Sequence, residues 1–173
     1  MECWYRIVEI EGQGFLGFVA TERGLRRVYL PERSRAAIQS AVQRDFRNGV
    51  EDQELLPELA AALLRYFAGE PADFAVRFDW SGQSCFDIDA WNACRRIGYG
   101  RTATYGELAE RIGRPGGARA IGMAMSHNPC PIVVPCHRVV KSDGSLGGYS
   151  GPGGVDFKRR LLALEAAAET VSV

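Results

Sequence analysis

Three short runs near the start of the chain, rich in apolar, aromatic and β-branched residues, read as strands: Trp4 to Ile10, Phe15 to Thr21 and Leu25 to Leu30. The polar, glycine-containing stretches Glu11-Gly12-Gln13-Gly14 and Glu22-Arg23-Gly24 separate them, and this pattern predicts an antiparallel meander. After Pro31 the period lengthens. Ala37, Ile38, Ala41, Val42 and Phe46 recur at helical spacing within Ser34 to Phe46, and Leu55 to Phe67 repeats the pattern, so two helices are expected to cover the sheet. Phe74, Val76 and Phe78 alternate and predict a further strand, after which Asp79 to Ser84 reads as a linker.

In the second half the spacing predicts a helix from about Cys85 to Arg96, with Phe86, Ala90, Trp91 and Cys94 near one face, ended by Gly98-Tyr99-Gly100. Thr104-Tyr105-Gly106-Glu107 is a capping box: Thr104 can satisfy the first free N–H groups of a new helix while Glu107 reaches back. Leu108, Ala109 and Ile112 give that helix its apolar stripe, and Gly113 to Gly117 forms a turn. Ala118 to His127 then forms a second helix rich in small residues, which suggests a helix-turn-helix. Small side chains allow close approach to a groove and tight helix packing alike. Ile132 to Val134 reads as a core strand, Val139-Val140 as another, and Gly144 to Gly151 as a glycine-rich loop with one aromatic, Tyr149. The chain closes on a helix from Phe157 to Ala168 with Phe157, Leu161 and Leu164 on its buried stripe. The fold class is α+β.

Composition adds little to this picture: 173 residues, 46% apolar, suit one compact unit or two small subdomains. Charge adds more. The 21 basic and 21 acidic residues cancel, so attraction to a polyanion has to come from local clustering. Between Trp91 and Arg119, Arg95, Arg96, Arg101, Arg111, Arg114 and Arg119 are opposed only by Glu107 and Glu110, whereas Glu51 to Asp89 is mostly acidic. Cys3, Cys85, Cys94, Cys130 and Cys136 are odd in number and scattered, which fits a reducing compartment. The first residues lack a basic region followed by an apolar core, and no segment is long and apolar enough to cross a membrane. These features lead us to expect a soluble protein of the cytoplasm, or of the nucleus in a eukaryote.

Candidate chemistry concentrates at Pro135-Cys136-His137. Proline removes a ladder donor and fixes the chain direction just before Cys136, so the thiol is expected in a turn where N–H groups converge. Those groups and a neighbouring imidazole would favour thiolate, the reactive form. In a straight strand the two side chains would point to opposite faces, so their cooperation requires the backbone to coil after Pro135. The competing reading is a small buried hydrophobe. A metal site is also conceivable from His127, Cys130, Cys136 and His137, but the spacing is poor and there is no Cys-x-x-Cys pair; no metal is expected.

The ordered motifs from Phe86 to Glu165 carry a resemblance. Phe86 and Trp91 are followed by Thr104-Tyr105-Gly106-Glu107-Leu108-Ala109, Ala118-Arg119-Ala120-Ile121-Gly122 and Asn128-Pro129. Next come Pro135-Cys136-His137-Arg138-Val139-Val140, Gly147-Gly148-Tyr149, and Lys158 with Leu161-Leu162 and Glu165. This half resembles the O6-alkylguanine-DNA alkyltransferases, single-use proteins that repair alkylated guanine. The resemblance implies two domains, residues 1–80 and 85–170. The first would be a ribonuclease H-like antiparallel sheet with flanking helices, the second a mostly helical, winged-helix-like domain with the helix-turn-helix.

It further implies that Cys136 accepts an alkyl group from guanine O6, or from thymine O4. His137, held by Glu165, would take the thiol proton through a water, and Tyr105 would donate toward guanine N3. Asn128 would tie the helix-turn-helix to the turn carrying Cys136. The backbones at Cys136 and Val139 would bind the exocyclic amine, and the Ser150 N–H would face O6. Tyr149 and Met125 would wall the pocket, to which Trp91 is also assigned. Arg119 would fill the space of a flipped nucleotide, with Ala120 and Gly122 against the groove and Thr104, Arg101 and Arg114 on the DNA backbone. The partner is duplex DNA containing alkylated guanine, the protein a monomer, and no cofactor is required. Alternatives of other classes are a lesion-binding protein without transfer and a thiol hydrolase. Four features depart from the family: Asp87 and Asp89 bring negative charge near the DNA-binding half; Gly98 replaces a proline; Met123 replaces a small residue; and Gly151 to Gly154 lengthens a loop.

Overall fold

The computed structural model describes residues 2–169. The chain divides into two compact units, one of residues 1–68 with 72–81 and one of residues 69–71 with 82–173.

In the first unit, β1 (Trp4–Ile10), β2 (Gly14–Thr21) and β3 (Gly24–Glu32) form the expected antiparallel meander. Trp4 pairs with Ala20 and Ile10 with Gly14, while Phe18 pairs with Val28. The third strand runs past Pro31, which is tolerated because β3 lies at the sheet edge and its missing N–H costs no ladder bond. A fourth strand, β4 (Val50–Glu51), pairs parallel to β1, giving the order β3-β2-β1-β4. Two residues carry no detectable alternation, so the sequence offered no signal for it. Helix α1 (Arg35–Asp45), capped by the Ser34 side chain, packs on β2. Its Ile38 and Val42 join Cys3, Tyr5, Ile7 and Val19 in one sealed cluster. Helix α2 (Pro57–Phe67) starts on a proline at a position where no N–H partner is needed, and contacts β1.

The strand expected at Phe74 to Phe78 is not formed. The Val76 N–H donates to the Phe74 carbonyl at 3.0 Å, which folds the chain on itself, and only Phe78 makes an isolated parallel bridge, to Leu25. Close approach is possible because residue 24 is glycine: a Cβ there would lie 2.3 Å from the Arg77 carbonyl oxygen. Nor is Asp79 linker. It is buried and accepts from Thr21 Oγ1 at 2.8 Å and Ser81 N at 3.0 Å, with Arg26 at 3.7 Å.

The second unit is helical. Helix α3 (Cys85–Arg95) is capped by Ser84. A parallel pair, β5 (Ala103–Thr104) with β6 (Val139–Val140), joins the start of helix α4 (Tyr105–Arg111) to the chain after Cys136. Both halves of the capping box are made, Glu107 N to Thr104 Oγ1 at 3.1 Å and Thr104 N to Glu107 Oε2 at 2.6 Å. Helix α5 (Ala118–Ser126) follows across the Gly/Pro turn and packs on both α3 and α4. Helix α6 (Gly154–Glu169) closes the unit. The whole is a mixed α+β fold.

Candidate active site

Pro135 has φ −81° and ψ 61°, and the Cys136 N–H donates to the Val134 carbonyl at 2.8 Å, which is an inverse γ-turn. The chain then coils through a 3-10 turn, Cys136–Arg138, as cooperation of Cys136 with His137 requires.

The approach to this turn differs from the sequence expectation. Ile132 to Val134 is buried but is not a strand: Pro131 and Val134 form a single bridge around a tight turn, with Val134 N on the Cys130 carbonyl at 2.8 Å. Prolines at 129, 131 and 135 have no N–H to place in a ladder, so the segment turns instead. Ile132 sits at φ 72°, a region that costs a β-branched residue on the order of 1–3 kcal/mol. The strain lies four residues before the nucleophile candidate.

Asn128 spans this loop. Its Oδ1 accepts the Cys130 N–H at 3.0 Å, and its Nδ2 donates to the Val134 carbonyl at 2.9 Å and to Cys136 Sγ at 3.2 Å. Both amide hydrogens are therefore used to position the turn and its sulfur.

Glu165 projects from α6 and is fully buried, not solvated. Its Oε1 lies 2.6 Å from His137 Nε2, and Arg138 grips both oxygens, Nε to Oε2 at 3.0 Å and Nη2 to Oε1 at 3.1 Å. The Gly100 N–H adds a fourth donor at 3.1 Å. Burial alone would raise this carboxyl, but the hydrogen bonds and charge of His137 and Arg138 outweigh it and bring the pKa down to about 2. An ionised carboxylate only accepts, so it fixes the His137 proton on Nε2 and makes Nδ1 the basic nitrogen. Burial keeps the imidazole below its ordinary pKa against the pull of Glu165, so it rests neutral.

The thiol does not follow the sequence argument in full. Burial pushes the Cys136 pKa above its ordinary value; Asn128, the Lys158 ammonium and the N–H groups of Cys136 and His137 pull it back without cancelling the rise. The neutral imidazole supplies no charge toward the thiolate. What the site holds at rest is a protonated thiol beside a neutral imidazole.

That space is a cleft of about 800 Å³ lined by Cys136. Tyr105 and Gly106 of α4 with Ala118, Arg119, Gly122, Met125 and Ser126 of α5 form one group of walls; Lys141, Ser142 and Gly147 to Ser150 form the other. Burial, with the charges of Cys136 and Cys94, raises the Tyr105 phenol, keeping it a proton donor. Gly147 is required by contact: a Cβ there would meet the Tyr105 hydroxyl at 2.3 Å. The structure thus brings Cys136, Tyr105, Met125, Tyr149, Ser150, Arg119 and Gly122 to one cleft. Trp91 is not there; it is fully buried behind α5, its Nε1 donating to the Ala124 carbonyl at 2.9 Å. Val139 is also fully buried, and Thr104 is spent on its cap. Arg101, Arg114 and Ala120 are exposed outside the cleft.

Lys158 and Arg138 belong to the site although the local sequence pattern assigns them no role. Lys158 is fully buried on α6, its Nζ donating to the Val139 carbonyl at 2.6 Å and lying 5.9 Å from the Tyr105 ring centroid. Its spacing with Leu161 and Glu165, one helix face, was the available signal. His127 pairs with Asp87 at 2.9 Å. Among the described residues no group of three or more His, Cys, Asp and Glu side chains is placed to hold a metal ion.

A thiol on the wall of a cleft built from two helices and the turn between them is the arrangement expected of a group-transfer protein. Residues 85–167 match the family described as 6-O-methylguanine DNA methyltransferase, DNA binding domain. A methylated-DNA--protein-cysteine methyltransferase from Methanosarcina barkeri is 36% identical over 94% of this chain and 96% of its own length. One from Mycolicibacterium paratuberculosis is 53% identical over 58% of this chain, and the match spans 59% of that relative. Among solved structures, O6-methylguanine methyltransferase from Mycobacterium tuberculosis superposes with a TM-score of 0.77 at 36% identity, covering 96% of this chain and 94% of that one. A structure of the M. tuberculosis protein in complex with DNA gives 0.76 at 38% identity, covering 95% and 94%. The chain belongs to the methylated-DNA--protein-cysteine methyltransferase family.

Proposed function

We propose that this chain repairs DNA by direct reversal, moving a methyl or somewhat larger alkyl group from guanine O6, or thymine O4, to Cys136. The event is irreversible and happens once per molecule. One observation carries the reading: Cys136 lines the cleft while Asn128 holds its sulfur at 3.2 Å and the adjacent imidazole is locked on a buried carboxylate.

A base inside the duplex cannot reach this sulfur, so the lesion is rotated out of the stack at a cost of a few kcal/mol. Arg119, in the first turn of α5 and at the cleft, takes the vacated space from the minor groove. Arg101 and Arg114 meet phosphates. His137 Nδ1 accepts the thiol proton, through a water, and the sulfur attacks the alkyl carbon in line with the C–O6 bond. The S–C bond forms, the C–O6 bond breaks, and its electron pair passes to the purine, which Tyr105 neutralises by donating toward N3. Overall one thiol proton is exchanged for one alkyl group. Val139, Tyr149, Ser150 and Met125 orient the base, and Trp91 supports α5 from behind. The reaction requires no cofactor or metal.

On this reading residues 1–80 are a ribonuclease H-like domain, residues 85–170 a winged-helix-like one, and the protein acts as a monomer in the cytoplasm. No helix among the described residues is long and apolar enough to cross a membrane. A lesion-binding protein without transfer would have no use for the acceptor thiol. The test is a mass measurement after incubation with duplex DNA carrying O6-methylguanine. A methyl mapped to Cys136, absent in Cys136→Ala, is expected; tight lesion binding with no covalent product would overturn the proposal.

A further inference from the structure

Asp87 brings a negative charge to the start of the DNA-binding half, and the structure gives it partners. Its two oxygens are divided: Oδ2 accepts the hydroxyl of Ser84, the cap of its own helix, at 2.6 Å, and Oδ1 lies 2.9 Å from His127 Nε2. Ser84 therefore pre-orients the carboxylate toward His127. One turn further along α3, on the same face, the Trp91 indole donates to the Ala124 carbonyl at 2.9 Å and its ring meets His127 edge-on at 6.0 Å. Ala124 and His127 stand three apart at the end of α5. The carbonyl that Trp91 satisfies is one of the last four of that helix, which lack intrahelical partners. Two residues of α3 thus grip two residues at the C-terminal end of α5. The next residue is Asn128, which reaches the Val134 carbonyl and Cys136 Sγ.

We propose that Asp87 and His127 are positioning residues for alkyl transfer: their contact fixes the end of α5, and through it the register of the Asn128 amide on the Cys136 sulfur. The inference rests on Cys136 being the alkyl acceptor. Asn128 donates to the sulfur, and on loss of the thiol proton that contact becomes a charge-assisted hydrogen bond directed over a short distance, so a small drift of its backbone weakens the bond first. Other groups acting on the sulfur, the Lys158 ammonium and the N–H groups of Cys136 and His137, come from α6 and the 3-10 turn and are untouched by the clamp. Asp87 is 17% exposed and His127 49%, so losing the pair alone has a small cost in folding. Its effect is expected at the sulfur.

The experiment uses the full chain and iodoacetamide as a DNA-independent probe, with alkylation mapped to Cys136 by peptide mass. Rates are measured against pH for the wild type, Asp87→Asn, His127→Gln and the double variant. Each single variant is expected to raise the apparent Cys136 pKa by about half a unit and to slow methyl transfer at neutral pH about threefold. The double variant should cost no more than either single one, because both act through one contact. Affinity for unmodified duplex should stay within about twofold. Unchanged Cys136 profiles, or additive effects, overturn the proposal. So does a loss of DNA affinity without a change at the sulfur, which would make His127 a phosphate contact. Failure of the functional reading itself is separate: no methyl would appear on wild-type Cys136.

Discussion

Glu165 illustrates how far a single side chain departs from what its position in a helix suggests. Beside Phe157, Leu161 and Leu164 it could have been one more solvated acid, yet it is the buried anion that four donors share. Removing its charge strands Arg138, a guanidinium that is itself buried. Glu165→Gln should therefore lower stability by about 3 kcal/mol, measured by urea unfolding at neutral pH. The pH dependence has a definite sign. Folded Glu165 titrates near 2 against an ordinary 4.5, so its stabilisation is complete above about pH 4.5 and is lost as pH falls toward 2. His137 is also depressed, from 6.5; the unfolded chain takes up that proton first, and stability starts to fall below that pH. Unfolding midpoints should drop with acidification in the wild type, and Glu165→Gln should lose the part of that slope below about pH 4.5. A variant with the full slope would place the acid sensitivity elsewhere.

At the scale of elements, legibility followed the length of the pattern. The meander, α1, α2 and the capping box at Thr104 were readable because each rests on several periodic positions or a paired signal. Ile132 to Val134 misled because β-branched apolar residues look the same in a strand and in a buried turn; the flanking prolines were the stronger signal. Phe74 to Phe78 kept its alternation of burial without forming a ladder, since one local hydrogen bond diverts the chain. The glycine-rich loop was visible as a loop, but the reason for Gly147 was not, because it is a contact with Tyr105, forty-two residues away. A methyl at that position must displace the phenol. Gly147→Ala should slow methyl transfer by between about 10- and 100-fold, in keeping with the cost of a misplaced catalytic group, while leaving affinity for unmodified DNA unchanged. Single-turnover kinetics alongside a binding titration would check this, and an unaltered transfer rate would remove Tyr105 from the chemistry.

For the whole molecule, zero net charge means that affinity for DNA has to come from local clusters of basic residues, and the cluster proposed for it is the arginine excess of the second unit. That excess, between Trp91 and Arg119, was plain in the sequence, and so was the candidate cysteine in its Pro-Cys-His turn, because both are local in the chain. Of the buried network only the pairing of Glu165 with His137 was legible, through the resemblance, since Lys158 and Glu165 reach Val139 and His137 from a helix well separated in sequence. The arginine account predicts sequence-independent binding that weakens with salt, and Arg101→Ala or Arg114→Ala should each reduce the slope of log Kd against log salt by about 0.9. Fluorescence anisotropy across a salt series would measure it; unchanged slopes would mean that these two residues do not meet phosphate.

The most direct test of the central claim counts events. With duplex carrying O6-methylguanine in excess over protein, repaired guanine should rise to one equivalent per chain and stop, with every Cys136 methylated and no second round on fresh DNA. Continued repair beyond that equivalent, or a plateau reached with Cys136 unmodified, would contradict the account.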